Sequence, residues 1–169
     1  MRETADDLMW LQELLQGSIE RAGAFLRSSF EMPEHSLSAA QLVRYLDGIP
    51  TVALATVTAQ SEPRVAPIGA VFWRARFHIP TVATAARTRH LRARPAVSLT
   101  HYAGNDLAVL VHGRASIVTP DDALFGDLDV YHRSQSGGQG VNDWGEGVFL
   151  RIEPDVLYTY ARYPEQFGT

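Results

Sequence analysis

The stretch from Thr81 to Pro95 has the residue types of an anion-binding site. A predicted strand ends at Thr81, and a predicted helix over 84–94 follows with Arg87 in its early part. Free N–H groups at a helix start, threonine hydroxyls and an early arginine form a suitable pocket for a phosphate. A basic face exposed to solvent would produce the same spacing. We expect such exposure for the three later arginines, Arg89, Arg92 and Arg94.

A second arginine, Arg64, begins a predicted strand beside a turn, where an arginine is normally exposed. Pro67 in the same strand is less usual, because proline cannot donate a hydrogen bond to a neighbouring strand. We therefore predict that this strand is an edge, contains a bulge, or runs beside something other than a strand. The flat ring of a cofactor would suit such a gap.

Other kinds of site are restricted by the residue types present. The chain has no cysteine, which excludes disulfides, zinc–thiolate sites and thiol nucleophiles. All fifteen basic residues are arginine, so any side-chain cation on a phosphate is a guanidinium. No two histidines stand four apart on a predicted helix, so we expect no preformed metal site. His78 and His112 lie in strands, as packed or exposed residues, although a heme protein could use one as an axial ligand.

The bulk composition is that of one ordinary globular domain. The chain has 169 residues, of which 46% are hydrophobic and 20% charged, and its net charge is −4. This charge does not favour binding to nucleic acid or to an anionic membrane. The first residues include no apolar run long enough for a signal peptide or a membrane span, so we expect a cytoplasmic protein.

The elements that must position these residues follow from periodicity. Apolar residues at helical spacing predict a helix over 5–30, and a capping box at Ser38 and Gln41 opens a second helix that Gly48 ends. A later helix is predicted from 120 to about 134. Strands are predicted over 51–58, 63–73, 75–81, 96–102, 107–118, 148–154 and 156–163, with a bulge at Gly113. Consecutive antiparallel strands of this number suggest a barrel.

Trp144 lies in a glycine-rich loop, SGGQGVNDWGEG, between the last predicted helix and the closing strands. Two interpretations stay open for it. It anchors the last strand in the core, or it is an aromatic group of a lid or partner subunit that stacks near a cofactor. Gly137, Gly138 and Gly140 would let such a loop move.

Residues 52–118 carry a five-part motif. It runs through LATVTAQSEPRVAPIGAVFWRARFHIPTVATAARTRHLRARPAVSL and continues in VHGRASIV. The run resembles the pyridoxamine-phosphate-oxidase-like split-barrel family, which binds FMN or deazaflavin cofactors. The resemblance implies a single mainly β domain (α+β), an antiparallel split β-barrel of six to seven strands with two N-terminal helices. Its parts are the helices in 1–50, the barrel core with the cofactor motif in 51–118, and a helix, loop and closing strands in 119–169.

The resemblance also assigns roles to individual residues. Arg64 takes a basic position that meets the cofactor phosphate, and Arg87 stands where the family often has a phosphate-gripping lysine. Val65, Ala66 and Pro67 line the ring, Thr81 ends the third strand, and Trp144 is the candidate aromatic group. Ala85 and Ala86 replace a frequent serine and arginine, which implies a thinner phosphate pocket unless His90 or Arg89 compensates.

The function implied is that of an FMN-dependent oxidoreductase acting on an unidentified small organic substrate. No catalytic residue is indicated by the sequence. The deazaflavin coenzyme F-420 is the alternative cofactor, and heme is a further one. A heme-binding or heme-degrading barrel and a non-catalytic flavin binder stay open as alternative functions. The resemblance implies a homodimer with the cofactor in a groove between the subunits.

Overall fold

The computed structural model describes residues 3–168, which begin with three helices. These are α1 (Ala5–Arg21), α2 (Ala24–Ser29) and α3 (Ala39–Tyr45). The single helix predicted over 5–30 is interrupted, because Ala22 and Gly23 both take extended backbone angles. The Arg27 guanidinium stabilises this break by donating to the backbone oxygen of Ala22 at 2.9 Å. The Ser38–Gln41 capping box at the start of α3 is confirmed.

Seven strands and two further helices follow. In chain order they are β1 (Thr51–Val57), β2 (Pro63–Gly69), β3 (Val71–Trp73), β4 (Arg76–Val82), α4 (Ala86–Ala93), β5 (Ala96–Ala103), β6 (Leu107–Val118), α5 (Ala123–Ser136) and β7 (Gly147–Ala161). Short 3₁₀ helices occupy Val141–Trp144 and Pro164–Phe167. None of the helices between residues 3 and 168 is long and apolar enough to cross a membrane.

Two predicted strand boundaries differ from the structure. The strand predicted over 63–73 is divided at Ala70, whose N–H donates to the backbone oxygen of Pro50 at 2.9 Å. The two last predicted strands form one strand, β7. Pro154 does not interrupt β7 because it lies opposite Gly113, where the β6–β7 register shifts. A residue without an N–H is tolerated at such a bulge.

The strands form one antiparallel sheet in the order β2-β1-β5-β6-β7-β4-β3. Strands β2 and β3 stand at opposite ends of this order, yet Ala70 alone separates them along the chain. The sheet must therefore curl until its two ends meet. The result is a curled half-barrel flanked by helices, which confirms the predicted mainly β split barrel.

Two hydrophobic clusters hold the fold together. The larger one includes Phe72, Phe77 and Ile152, and Leu11 of α1 and Leu42 of α3 belong to it. The smaller one lies between α5 and the β3–β4–β7 side of the sheet, and contains Trp73, Val141, Phe125, Leu128 and Phe149. The first half of α5 is therefore held against the sheet.

The bulge at Gly113 leaves no room for a side chain. A Cβ atom built on Gly113 would lie 2.1 Å from the backbone oxygen of Glu153 on β7. Gly126 on α5 is the opposite case, because a Cβ atom there would meet no atom within 4 Å.

Gly113→Ala should therefore lower the free energy of unfolding by at least ~2 kcal/mol, since backbone must move to accept the methyl group. Gly126→Ala is the matched control and should raise the unfolding free energy by about 0.5–1 kcal/mol, because alanine favours an exposed helix interior. Urea unfolding followed by circular dichroism measures both. Equal stability of the Gly113→Ala and wild-type proteins would contradict the tight bulge.

Candidate functional site

Two cavities adjoin the start of α4 and share Arg87 in their walls. The first, called the arginine cavity, has a volume of about 410 Å³, and its lining includes Thr56, Arg64, Val65, Ala66, Arg87 and His90. The second, called the tryptophan cavity, has a volume of about 500 Å³, and its lining includes Ile68, Thr81, Ala85, Arg87, His132 and Trp144. Six of the seven predicted site residues therefore lie around one helix start, and Pro67 lines neither cavity.

The β1–β2 register shows which side chains of β2 face inward and which face outward. Arg64 pairs with Thr56 and Ala66 with Leu54, and both partners on β1 face inward. Successive side chains of a strand alternate between its faces, so Arg64 and Ala66 point toward the arginine cavity. Val65 and Pro67 belong to the outer face. Of the three alternatives predicted from Pro67, the structure shows the first, because β2 is an edge strand.

Arg64 holds an exposed ion pair. Its guanidinium lies 2.5 Å from a carboxylate oxygen of Glu62, and more than half of each side chain is exposed. Exposed pairs of this kind contribute little to stability. A bound anion can therefore compete with Glu62 for the guanidinium.

Arg87 is less exposed than Arg64 and is held by a hydrogen bond within the site. Its guanidinium donates to the Thr81 hydroxyl at 3.1 Å, which links the end of β4 to the first turn of α4. The N-cap of α4 is Ala85, and no side chain caps the first-turn N–H groups of this helix. By contrast, α1 and α3 each begin with a capping box. The start of α4 therefore presents uncapped N–H groups and a guanidinium to the same space.

Of the three later arginines, Arg89 and Arg92 are exposed as predicted, whereas Arg94, at the C-cap of α4, is half-buried. Arg89 donates to the backbone oxygen of Thr84 at 2.6 Å and Arg94 to that of Ala59 at 3.4 Å, while Arg92 is exposed. None of the three lines either cavity. His90 lines the arginine cavity instead, with its Nδ1 3.0 Å from the Thr56 hydroxyl. From the sequence, His90 and Arg89 are the residues that could replace the polar groups missing at Ala85 and Ala86. Of these two, only His90 lines the cavity.

The loop that carries Trp144 is tied to α5. The Asp129 carboxylate accepts from the N–H of Asn142 at 3.1 Å, and the Arg133 guanidinium lies 3.0 Å from the Asp143 carboxylate. Val141 is fully buried and anchors the segment in the smaller hydrophobic cluster. Trp144 itself is 38% exposed and lies in the cavity wall, so its position does not support the strand-anchor interpretation.

His132 is a residue of the tryptophan cavity that the sequence did not nominate. Only 5% of its surface is exposed, and its ring lies 5.8 Å from that of Trp144 at an interplanar angle of 90°. Burial lowers the pKa of His132 below its ordinary value, and the nearby Asp129 carboxylate acts in the opposite direction. Its placement depends on the packing of α5 against the sheet, for which the sequence carried no signal.

The two strand histidines lie outside both cavities. His78 is fully buried, and burial together with the charge of Arg151 lowers its pKa to about 3, so the ring is neutral. Its Nδ1 is 3.1 Å from the backbone oxygen of Arg76. His112 is exposed, with its Nδ1 2.7 Å from the Ser98 hydroxyl. Among residues 3–168 no group of three or more acidic or histidine side chains could hold a metal ion.

The sequence matches one family of known proteins. The family model described as pyridoxamine 5'-phosphate oxidase matches residues 38–160, which is most of the chain. No curated protein matches the chain in sequence.

Three solved structures illustrate the likeness in fold. An FAD-binding protein from Mesorhizobium loti is 24% identical with a TM-score of 0.55, covering 73% of this chain and 93% of its own. An F420 reductase is 19% identical with a TM-score of 0.55, covering 66% and 91%. The heme storage protein HutZ from Vibrio cholerae is 19% identical with a TM-score of 0.57, covering 71% and 91%. At these identities the likeness shows the fold alone.

Asp129→Ala should release the Trp144 loop, because it removes the acceptor for Asn142 and a carboxylate partner of Arg133. We expect the tryptophan emission to shift to longer wavelength as Trp144 becomes more exposed to water. Asp127→Ala, an exposed position on the same helix, is the control and should leave the spectrum unchanged. A spectrum of Asp129→Ala identical to that of the wild type would contradict the proposed anchoring.

Proposed function

The chain belongs to the pyridoxamine 5'-phosphate oxidase family, and we propose that it is an oxidoreductase that binds FMN. In this proposal the cofactor phosphate lies in the arginine cavity and the ring extends toward the tryptophan cavity. The convergence of Arg64, Arg87 and the uncapped start of α4 is the observation that carries it.

Phosphate is the group that this end of the site suits best. A helix start attracts an anion through its free N–H groups and its dipole. Two guanidinium groups add charge-assisted hydrogen bonds. Arg87 is already oriented by the Thr81 hydroxyl, and His90 adds a polar group to the same wall. The alanines at 85 and 86 leave space for the phosphate oxygens but contribute no hydroxyl.

The tryptophan cavity suits a flat, largely apolar ring. Ile49, Ile68 and Pro80 supply apolar walls, and Trp144 supplies an aromatic one. The edge position of β2 leaves the backbone of Val65 to Pro67 unpaired on one side, so ring atoms can lie alongside it. When bound, the flavin ring supplies hydride transfer, and the chain needs to bind, orient and shield it. A site whose chemistry is carried by the cofactor does not require an acid–base pair from the protein, and none is evident among the residues that line the two cavities.

The choice of FMN over the deazaflavin coenzyme F-420 rests on charge. A deazaflavin carries a long acidic tail, which a broad basic groove would favour. Of the arginines on α4, only Arg87 lines the described cavities, while Arg89 and Arg94 bond to backbone oxygens elsewhere. F-420 is therefore the competing ligand in the binding experiment. Heme is less favoured, because His78 is fully buried and His112 lies outside both cavities.

We also propose that the protein is a homodimer. The expected subunit contact is the outer face of the sheet, which points away from the hydrophobic core. Val65, Ala55, Ser98, His112 and Val156 are neighbours across five strands of this face. None of the five is buried in the single chain. A second copy packed there would also close the arginine cavity from outside, because Val65 belongs to both. We further propose that the protein acts in the cytoplasm on a small organic substrate.

Arg87→Ala should weaken FMN binding by about 1.5–3 kcal/mol, which is the range for a hydrogen bond to a charged group. Titration of the FMN-free protein with FMN, followed by calorimetry, measures the change, and a parallel titration uses F-420. Arg92→Ala is the matched control, because Arg92 is an exposed arginine of the same helix outside both cavities.

The wild type and Arg92→Ala should bind FMN equally. Wild-type affinity in Arg87→Ala would remove Arg87 from the phosphate site. Uptake of F-420 in preference to FMN would show that the proposed cofactor is wrong, but it would not affect the assignment to the family. Failure of the wild type to bind either one would contradict the proposed function.

Ala55→Arg should convert the dimer to a monomer, because it places a large charged side chain in the centre of the outer face. Analytical ultracentrifugation measures the mass, and circular dichroism checks that the variant is folded. Gln16→Arg on the exposed side of α1 is the control and should remain dimeric. A dimer of unchanged stability in Ala55→Arg would place the subunit contact elsewhere.

A further inference from the structure

A third cavity lies between the β3–β4 turn, β7 and the start of α5. Its volume is about 470 Å³, and its lining includes Trp73, Arg74, Arg76, Ala123, Leu124 and Arg151. Within the described part of the chain, no residue lines both this cavity and one of the two cavities proposed for the cofactor. We call it the turn cavity. The proposed function leaves it without a role.

The β3–β4 turn has a backbone conformation that is unfavourable for its residues. Arg74 and Ala75 have φ angles of 51° and 60°, in the left-handed region that favours glycine or asparagine. The turn places the Arg74 guanidinium 5.1 Å from the centre of the Trp73 ring, at the wall of the cavity. Unfavourable backbone of this kind concentrates at ligand-binding sites, where a side chain must be held in one position.

Two of the three arginines are held by partners in the protein. The Arg76 guanidinium lies 2.6 Å from a Glu153 carboxylate oxygen and 3.9 Å from the centre of the Trp10 ring. The Arg74 guanidinium lies 3.4 Å from a carboxylate oxygen of Asp7. These contacts position both guanidinium groups at the cavity.

Arg151 is the arginine with unpaired donors. Its Nε lies 2.5 Å from a carboxylate oxygen of Glu153, but at an angle that does not make a hydrogen bond. For its two Nη atoms, residues 3–168 provide no hydrogen-bond or ion-pair partner. Because Glu153 is shared with Arg76, one carboxylate faces two guanidinium groups. The uncompensated charge acts on the buried His78 ring, whose pKa is lowered by burial and by the charges of both arginines.

The start of α5 adds backbone donors. Its N-cap is Asp122, whose carboxylate accepts from the N–H of Thr119 at 2.7 Å and from the Thr119 hydroxyl at 3.0 Å instead of capping the helix. The N–H groups of Ala123 and Leu124 therefore have no side-chain cap, and both residues line the turn cavity. A carboxylate suits such N–H groups when a guanidinium faces the same space.

The balance of charge favours one class of anion. The cavity lining has three guanidinium groups and the carboxylates of Asp7 and Asp127, and Glu153 lies beside it. A phosphate ester carries about two negative charges at neutral pH, whereas a carboxylate carries one. Because the charges of the cavity are nearly balanced, a single carboxylate fits it better than a phosphate. Trp73 and Leu124 supply an apolar wall for the rest of the molecule.

We propose that the turn cavity is a second ligand site, which binds a small organic acid through one carboxylate. The carboxylate accepts hydrogen bonds from the Nη atoms of Arg151 and from the N–H groups at the start of α5. The apolar part of the acid contacts Trp73. The site goes beyond the proposed function, since the residues that carry it line neither the arginine cavity nor the tryptophan cavity.

The experiment titrates ¹⁵N-labelled protein with benzoate, benzyl alcohol and phenyl phosphate, which share a ring but differ in charge. Two-dimensional NMR spectra give the affinity of each probe and show which backbone amides it approaches. Arg151→Gln removes the charge, and Arg151→Lys keeps it without the planar fork. Arg92→Gln is the control, because it removes an exposed arginine outside all three cavities. Circular dichroism checks that each variant is folded.

We expect benzoate to bind most tightly of the three probes and to shift the amide signals of Ala123 and Leu124. Arg151→Gln should weaken benzoate binding about 10- to 100-fold, the range for hydrogen bonds to a charged group. Arg151→Lys should weaken it less, and Arg92→Gln should leave it unchanged.

Absence of benzoate binding, equal binding of benzyl alcohol, or tighter binding of phenyl phosphate would overturn the inference. Unshifted amide signals of Ala123 and Leu124, or wild-type affinity in folded Arg151→Gln, would do the same. If Arg151→Gln does not fold, the comparison of the three probes on the wild type still decides the matter. None of these measurements depends on FMN, so they stand or fall separately from the proposed function.

Discussion

The single residue between β2 and β3 is the constraint on which the site depends. These strands stand at the two ends of the sheet order, so the short link at Ala70 forces the sheet to curl. The curl brings the end of β2 close to the end of β4. Ile68 and Thr81 consequently line one cavity although they belong to strands far apart in the sheet order. A flat sheet with the same strands would have no such cavity.

Arg87 in the arginine cavity differs from most other arginines in its hydrogen-bond partners. The chain is acidic overall. Among residues 3–168, most arginines contact carboxylates or backbone oxygens. Arg76 pairs with Glu153, and Arg162 pairs with Asp106. At the start of α4, by contrast, Arg87 contacts only a neutral hydroxyl in the described structure. The positive end of the helix and this guanidinium therefore remain available to an anion.

The glycine-rich loop packs closely against α5 at Gly140. Glycine is required at Gly140 because a Cβ atom there would lie within 2.7 Å of both Asp129 carboxylate oxygens. The close approach lets Asp129 accept the hydrogen bond from Asn142 and hold Trp144 against His132. What the sequence presented as a source of mobility is thus, at this position, a means of close packing.

The sequence by itself determined where most strands lie, the capping box of α3 and the bulge at Gly113, because these depend on local periodicity and spacing. Arg64 became a candidate site residue only through the resemblance of the motif to a known family. Only the tertiary structure decided that Pro67 faces away, that Trp144 lines a cavity and that His132 joins it. Those outcomes depend on strand register, on the curl of the sheet and on the docking of α5. Such long-range contacts leave no periodic signal in a single sequence.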